Sequence, residues 1–126
     1  MQIADSQFDE SSLVALGAEA LALLSTGNIQ ALAERFGYAL ALGRDPATAI
    51  QADLASALAS VGATSLVHAD ADAPKVGYFK SNMTGLLALV EGRAPTNNGK
   101  AILVELVVTG RGDEKFITLE DISDKA

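Results

Sequence analysis

Alanine and β-branched residues divide this chain into two unlike parts. Of its 23 alanines, fifteen lie between Ala15 and Ala63, whereas valine and isoleucine dominate after Thr64. Alanine is the best helix former, and β-branched side chains pack best on a pleated sheet. Helices followed by strands define an α+β arrangement. No Pro- or Gly-rich linker separates the two parts, so they share one core. A chain of 126 residues is one domain in length. Folding at that size buries about two-thirds of the extended surface, enough for a core without disulfides or metal. The expected architecture is three N-terminal helices packed on a curved antiparallel sheet of four or five strands, with residues 1–10 as a flexible N-terminal arm.

The helices carry their own punctuation. Asp9 and the Ser11-Ser12 pair supply capping oxygens for a first helix over residues 11–26, with Leu13, Leu16, Ala20 and Leu23/Leu24 as its apolar stripe. Gly27 suits a left-handed stop. Asn28 is placed to cap a second helix, in which Ile29, Leu32, Phe36 and Leu40 keep helical spacing up to Gly43. Asp45-Pro46 is the strongest start signal, a capping carboxylate followed by proline at the first helical position. Ile50, Leu54, Leu58 and Val61 then line the third helix before Gly62.

Strands are expected over residues 65–72, 76–80, 86–93, 101–109 and 115–121. Pro95-Thr96-Asn97-Asn98-Gly99 and Gly110-Arg111-Gly112-Asp113 are turn sequences that join the last three into a meander. Residues 84–91 also suit a short helix, but the strand is favoured. Centring the turns on Asn97 and Gly112 sets the faces, because side chains alternate along a strand. One face then collects Leu89, Glu91, Leu103, Glu105, Val107, Ile117 and Leu119. The other collects Ala88, Val90, Ile102, Val104, Leu106, Val108, Phe116, Thr118 and Glu120. Both are largely apolar, whereas an antiparallel sheet normally keeps one wet face. Helices cover one side, and a subunit partner is the simplest cover for the other. Leu103, Glu105 and Val107 are thus the expected contact residues of a homodimer formed through the sheet.

Composition narrows the partners. Nine basic against sixteen acidic residues leave a net charge of −7, which opposes binding to nucleic-acid phosphates and suits a basic protein partner. The absence of cysteine removes thiol nucleophiles and thiolate metal sites. No apolar run is long enough to span a bilayer, and the first residues lack the basic and apolar regions of a signal peptide. A cytoplasmic location without membrane contact is the expectation.

The order of elements resembles a known superfamily. The helix ending Leu23-Leu24-Ser-Thr-Gly-Asn, the second helix with Ala31-Leu-Ala-Glu-Arg-Phe36, and the terminal Phe116-Ile-Thr-Leu-Glu-Asp-Ile122 strand are similar to nuclear transport factor 2-like proteins. The resemblance runs from about Ser11 to Ser123 and implies a cystatin-like cone, with helices packed in the hollow of a curved sheet. Here a third Ala-rich helix stands where that family has an early strand, and pocket aromatics are few. Members include isomerases, dehydratases, binding modules and scaffolds, so the resemblance leaves function open.

His68 is the single histidine, in Val67-His68-Ala69-Asp70-Ala71-Asp72. On a strand, His68, Asp70 and Asp72 share one face, and neighbouring carboxylates raise imidazole basicity toward that of a general base. As metal ligands the three form an incomplete shell on one strand, so neither a metal nor a cofactor is assigned. Solvated acidic residues running into a loop explain the same pattern. Tyr78 follows this segment and is a candidate binding residue through its hydroxyl. Phosphate-binding glycine loops and a Gly-x-Ser-x-Gly elbow are absent from the sequence. Two readings result. The first is a small acidic, non-catalytic binding or accessory protein that works through a protein surface. The second is a cone-fold enzyme or binder of a small apolar ligand, using His68 with Asp70 or Asp72.

Overall fold

The first helix begins one residue before its expected start, because Asp9 itself is the cap. In the computed structural model, which describes residues 1–67, 73–80 and 85–126, Asp9 Oδ2 accepts from the Ser12 amide at 3.2 Å. Helix α1 (Glu10–Ser25) follows. It ends as anticipated: Gly27 adopts a φ of 79°, and the Asn28 amide donates back to the Leu23 carbonyl at 2.9 Å, the closing bond of a Schellman turn. Asn28 precedes α2 (Ile29–Phe36), but its side chain makes no cap; its amide nitrogen donates to Thr26 Oγ1. Helix α3 (Pro46–Ser60) starts where Asp45-Pro46 requires, with Asp45 Oδ2 accepting from the Thr48 amide at 3.1 Å.

The reach of α2 is a correction. Helical spacing carries the apolar pattern to Leu40, yet the helix stops at Phe36. Gly37 takes a φ of 71° and Tyr38 swings into extended backbone, where it bridges Leu119 in parallel. Pairing with a distant strand overrides the local pattern. A single 3-10 turn, Ala39–Ala41, then leads to α3.

Strands β2 (Lys75–Tyr78), β3 (Leu86–Pro95), β4 (Ala101–Arg111) and β5 (Glu114–Ser123) form the meander. Residues 86–91 are strand, which settles the helix-or-strand question in that segment. Of residues 65–72, Leu66 makes an isolated bridge to Thr96, and 68–72 lie outside the described residues. A fifth strand comes from the expected arm: β1 (Gln2–Ile3) pairs with Phe116 and Lys115 of β5. The sheet is antiparallel throughout, in the order β1-β5-β4-β3-β2. The architecture is α+β, three helices packed on a curved five-stranded sheet, four of whose strands follow the helices in the chain.

All three helices pack on one side of the sheet. Leu13, Leu24, Leu32, Phe36 and Ile50 meet Val90, Ile102, Val104, Leu106, Val108, Ile117 and Leu119 in a single cluster, each 2% exposed or less. Two glycines set the distance between α1 and β3. A Cβ on Gly92 would stand 2.7 Å from Leu21 Cδ1, and one on Gly17 would stand 2.8 Å from Val90 Cγ1. A larger residue at either place obliges Leu21, or Val90 and Pro74, to give way. The β3–β4 turn is also tied down, since Asn98 Nδ2 donates to the Val61 carbonyl just past α3, and Asn97 Nδ2 donates to Thr64 Oγ1.

The faces of β5 are the second correction. The β4–β5 turn has two residues, Gly112-Asp113, between Arg111 and Glu114. Centring it on Gly112 shifts the register by one residue and turns over the β5 side chains from Glu114 to Leu119, as far as the bulge at Glu120. Ile117 and Leu119 face the helices with Val108 and Leu106, while Phe116 and Thr118 join the outer side. For β3 and β4 the assigned faces hold.

Candidate interaction surface

On the outer side of the sheet, register builds three adjacent rows across β3, β4 and β5. The middle row is acidic: Glu91 lies opposite Glu105, and Glu105 opposite Asp121. Leu89, Val107 and Thr118 form the row on one flank, and Arg93, Leu103 and Ser123 the row on the other. A β-bulge opposite Glu105 inserts Glu120 beside Asp121. Leu103, Glu105 and Val107, the expected contact residues, therefore sit together on the central strand of this face. Each is half-buried, and Leu89, Leu103 and Val107 lie outside the core cluster.

Directly opposed like charges destabilise a sheet. Burial pushes the Glu105 carboxyl above the usual range, and Asp121, Glu91 and Glu120 push it further while Lys125 opposes them. Folding thus disfavours ionised Glu105. That penalty is present above its folded titration and disappears as pH falls through it. Glu105→Gln is expected to raise stability at neutral pH by about 0.5 kcal/mol. Denaturant midpoints across a pH series should show the gain fading under acidic conditions; an equal gain at every pH would assign it to something other than charge.

Tyr78 does not join this surface. Its hydroxyl donates to the Phe8 carbonyl at 2.8 Å, and its ring meets Phe8 edge-on at 5.2 Å between centroids. It anchors the segment that joins β1 to α1. His68, Asp70 and Asp72 lie outside the described residues. Among the described residues, no group of three or more His, Asp or Glu side chains is disposed to hold a metal ion. Nor is any helix there long and apolar enough to cross a membrane.

Sequence reasoning missed a polar cluster between α2 and α3. Tyr38 Oη donates to Asp53 Oδ2 at 2.5 Å, and Arg44 reaches both Asp53 oxygens at 3.2 Å. The same guanidinium donates to the Ala41 carbonyl at 2.9 Å and the Leu40 carbonyl at 2.6 Å, closing the 3-10 turn. Burial, then the bond to Asp53, drives the Tyr38 phenol far up, so it stays protonated and cannot serve as a base at neutral pH. Arg44 holds the Asp53 carboxyl below its ordinary range. These bonds hold the 3-10 turn against α3. Asp53 also opens onto a polar groove of about 230 Å³ between α3 and the end of β5, lined further by Ser56, Ser60, Asp121, Ser123 and Asp124.

Comparisons with protein-family models, with curated proteins and with solved structures find no match to this chain.

Proposed function

We propose that the protein is a non-catalytic binding domain whose working surface is the outer face of the sheet. The observation that supports this reading is the trio Leu89, Leu103 and Val107. These side chains sit on the two central strands of the meander, belong to no core cluster, and flank a carboxylate that is already partly desolvated. Apolar residues grouped in this way on a folded surface mark a protein interface. An α+β fold of this kind serves many functions, so the surface carries the argument.

A photo-crosslinking amino acid at Val107 tests the proposal in cells that express the protein. Adducts with protein are expected at Val107, lost when Leu103→Lys is added, and absent when the crosslinker stands at Gln30 on the exposed side of α2. Equal adducts at both positions, or none at Val107, would remove the outer face as the working surface.

A further inference from the structure

We infer that the outer face takes a lysine- and arginine-rich helix of a partner protein, laid across the strands along the acidic row; the inference rests on the proposed binding role of this face. Three observations lead there.

The first is charge. Glu91, Glu105, Glu120 and Asp121 crowd the centre of the face, while Arg35 pairs with Glu19, Arg44 with Asp53 and Lys115 with Asp5. None of those cations takes up a carboxylate of the row. Near the row, Lys75 lies opposite Glu91 and Arg93 beside Leu103 toward the β2 end, and Lys125, just past β5, also acts on Glu105. The four carboxylates outnumber these three cations, and the net charge of −7 adds a field that steers cations toward the face.

The second is spacing. Opposed residues on adjacent strands stand about 5 Å apart. Successive i, i+4 side chains on a helix are about 6 Å apart along its axis. A helix crossing the strands therefore sets one cation over each acidic residue of the row. Leu89 and Val107 on one side, with Leu103 on the other, give its neighbouring apolar positions a seat.

The third argues against a second copy of this chain, the occupant first suggested by the apolar faces. Two sheets meeting face to face would bring one central carboxylate row against another, and like charges brought together at an interface oppose association. Glu105, already partly buried, would lose its remaining water without gaining a counter-charge.

The probe is a fluorescein-labelled synthetic helix with lysines at i, i+4 and i+8 and leucines beside them. Its controls are a glutamate-for-lysine analogue and a peptide of the same composition with scrambled spacing. Anisotropy should show binding of the first peptide that weakens with salt. The combined Glu91→Gln and Glu105→Gln variant, expected to fold at least as stably as the parent, should bind it at least about tenfold more weakly. Amide shifts should centre on Leu89, Leu103 and Val107.

Several results would overturn the inference: no binding, equal binding of the scrambled peptide, unchanged affinity in the double variant, or shifts centred on the groove beside Asp53. Crosslinks at Val107 that join only two copies of this chain, together with a dimer dissociated by Leu103→Lys, would also overturn it while leaving the proposed binding face intact. Loss of the Val107 adducts themselves would instead remove the reading on which it rests.

Discussion

Leu119→Lys is expected to unfold the protein or to cost more than about 4 kcal/mol, whereas Thr118→Lys should be nearly neutral. Leu119 has no exposed surface and packs beneath the helices, beside the backbone bridge from Tyr38. A lysine there buries an ammonium with no counter-charge in the cluster around it, one of the few single changes that a small domain does not survive. Thr118 lies one residue away on the outer face, opposite Val107 and next to the acidic row, so its lysine variant stays in solvent near carboxylates. Reading β5 with the turn centred on Gly112 exchanges the two roles. Thermal denaturation of the pair therefore measures the register directly. If Thr118→Lys unfolds the chain and Leu119→Lys does not, the β4–β5 pairing described above is incorrect.

The second large effect concerns Asp53. Asp53→Ala should lower stability by about 2–3 kcal/mol, because it leaves the Tyr38 hydroxyl without its acceptor in a residue only 6% exposed. It also removes the carboxylate that organises Arg44 over the 3-10 turn. Tyr38→Phe removes a single hydrogen bond and should cost about 1 kcal/mol. The pH dependence follows from the depressed Asp53 titration, caused first by Arg44 and then by Tyr38. The stabilisation is complete above the ordinary carboxyl value of 3.8 and is lost as pH falls through the lower folded value. The stability difference between the parent and Asp53→Asn should accordingly shrink below about pH 4. Urea titrations that show the same difference at pH 3 and pH 7 would assign the loss to packing rather than to the charge.

What could be read in advance divides along the range of the forces involved. Asp9, Gly27 and Asp45-Pro46 act within one helical turn of themselves, so α1 and α3 were legible almost to the residue. The meander was legible from its two turn sequences and its alternation, and so was the grouping of Leu103, Glu105 and Val107 on one face of β4. The acidic row was legible only in part, because Glu91 and Glu105 were placed on one face but not opposite each other, and Asp121 was not placed there. Glu91 and Asp121 reach Glu105 only through strand register, and Asp121 also needs the bulge that inserts Glu120. The Tyr38–Arg44–Asp53 cluster joins residues on three local elements whose separate patterns give no sign of one another.

The sequence by itself determined where helices start and which half pleats. These properties follow from propensity, capping and period, which depend on near neighbours. Only the tertiary structure decided that α2 ends at Phe36, that residues 2–3 complete the sheet edge, and that β5 turns Leu119 rather than Thr118 toward the core. The first two are set by pairing between segments distant in the chain, the third by the exact length of the β4–β5 turn. A half-residue difference in the centre of one turn is enough to reverse the faces of a strand as far as its next bulge.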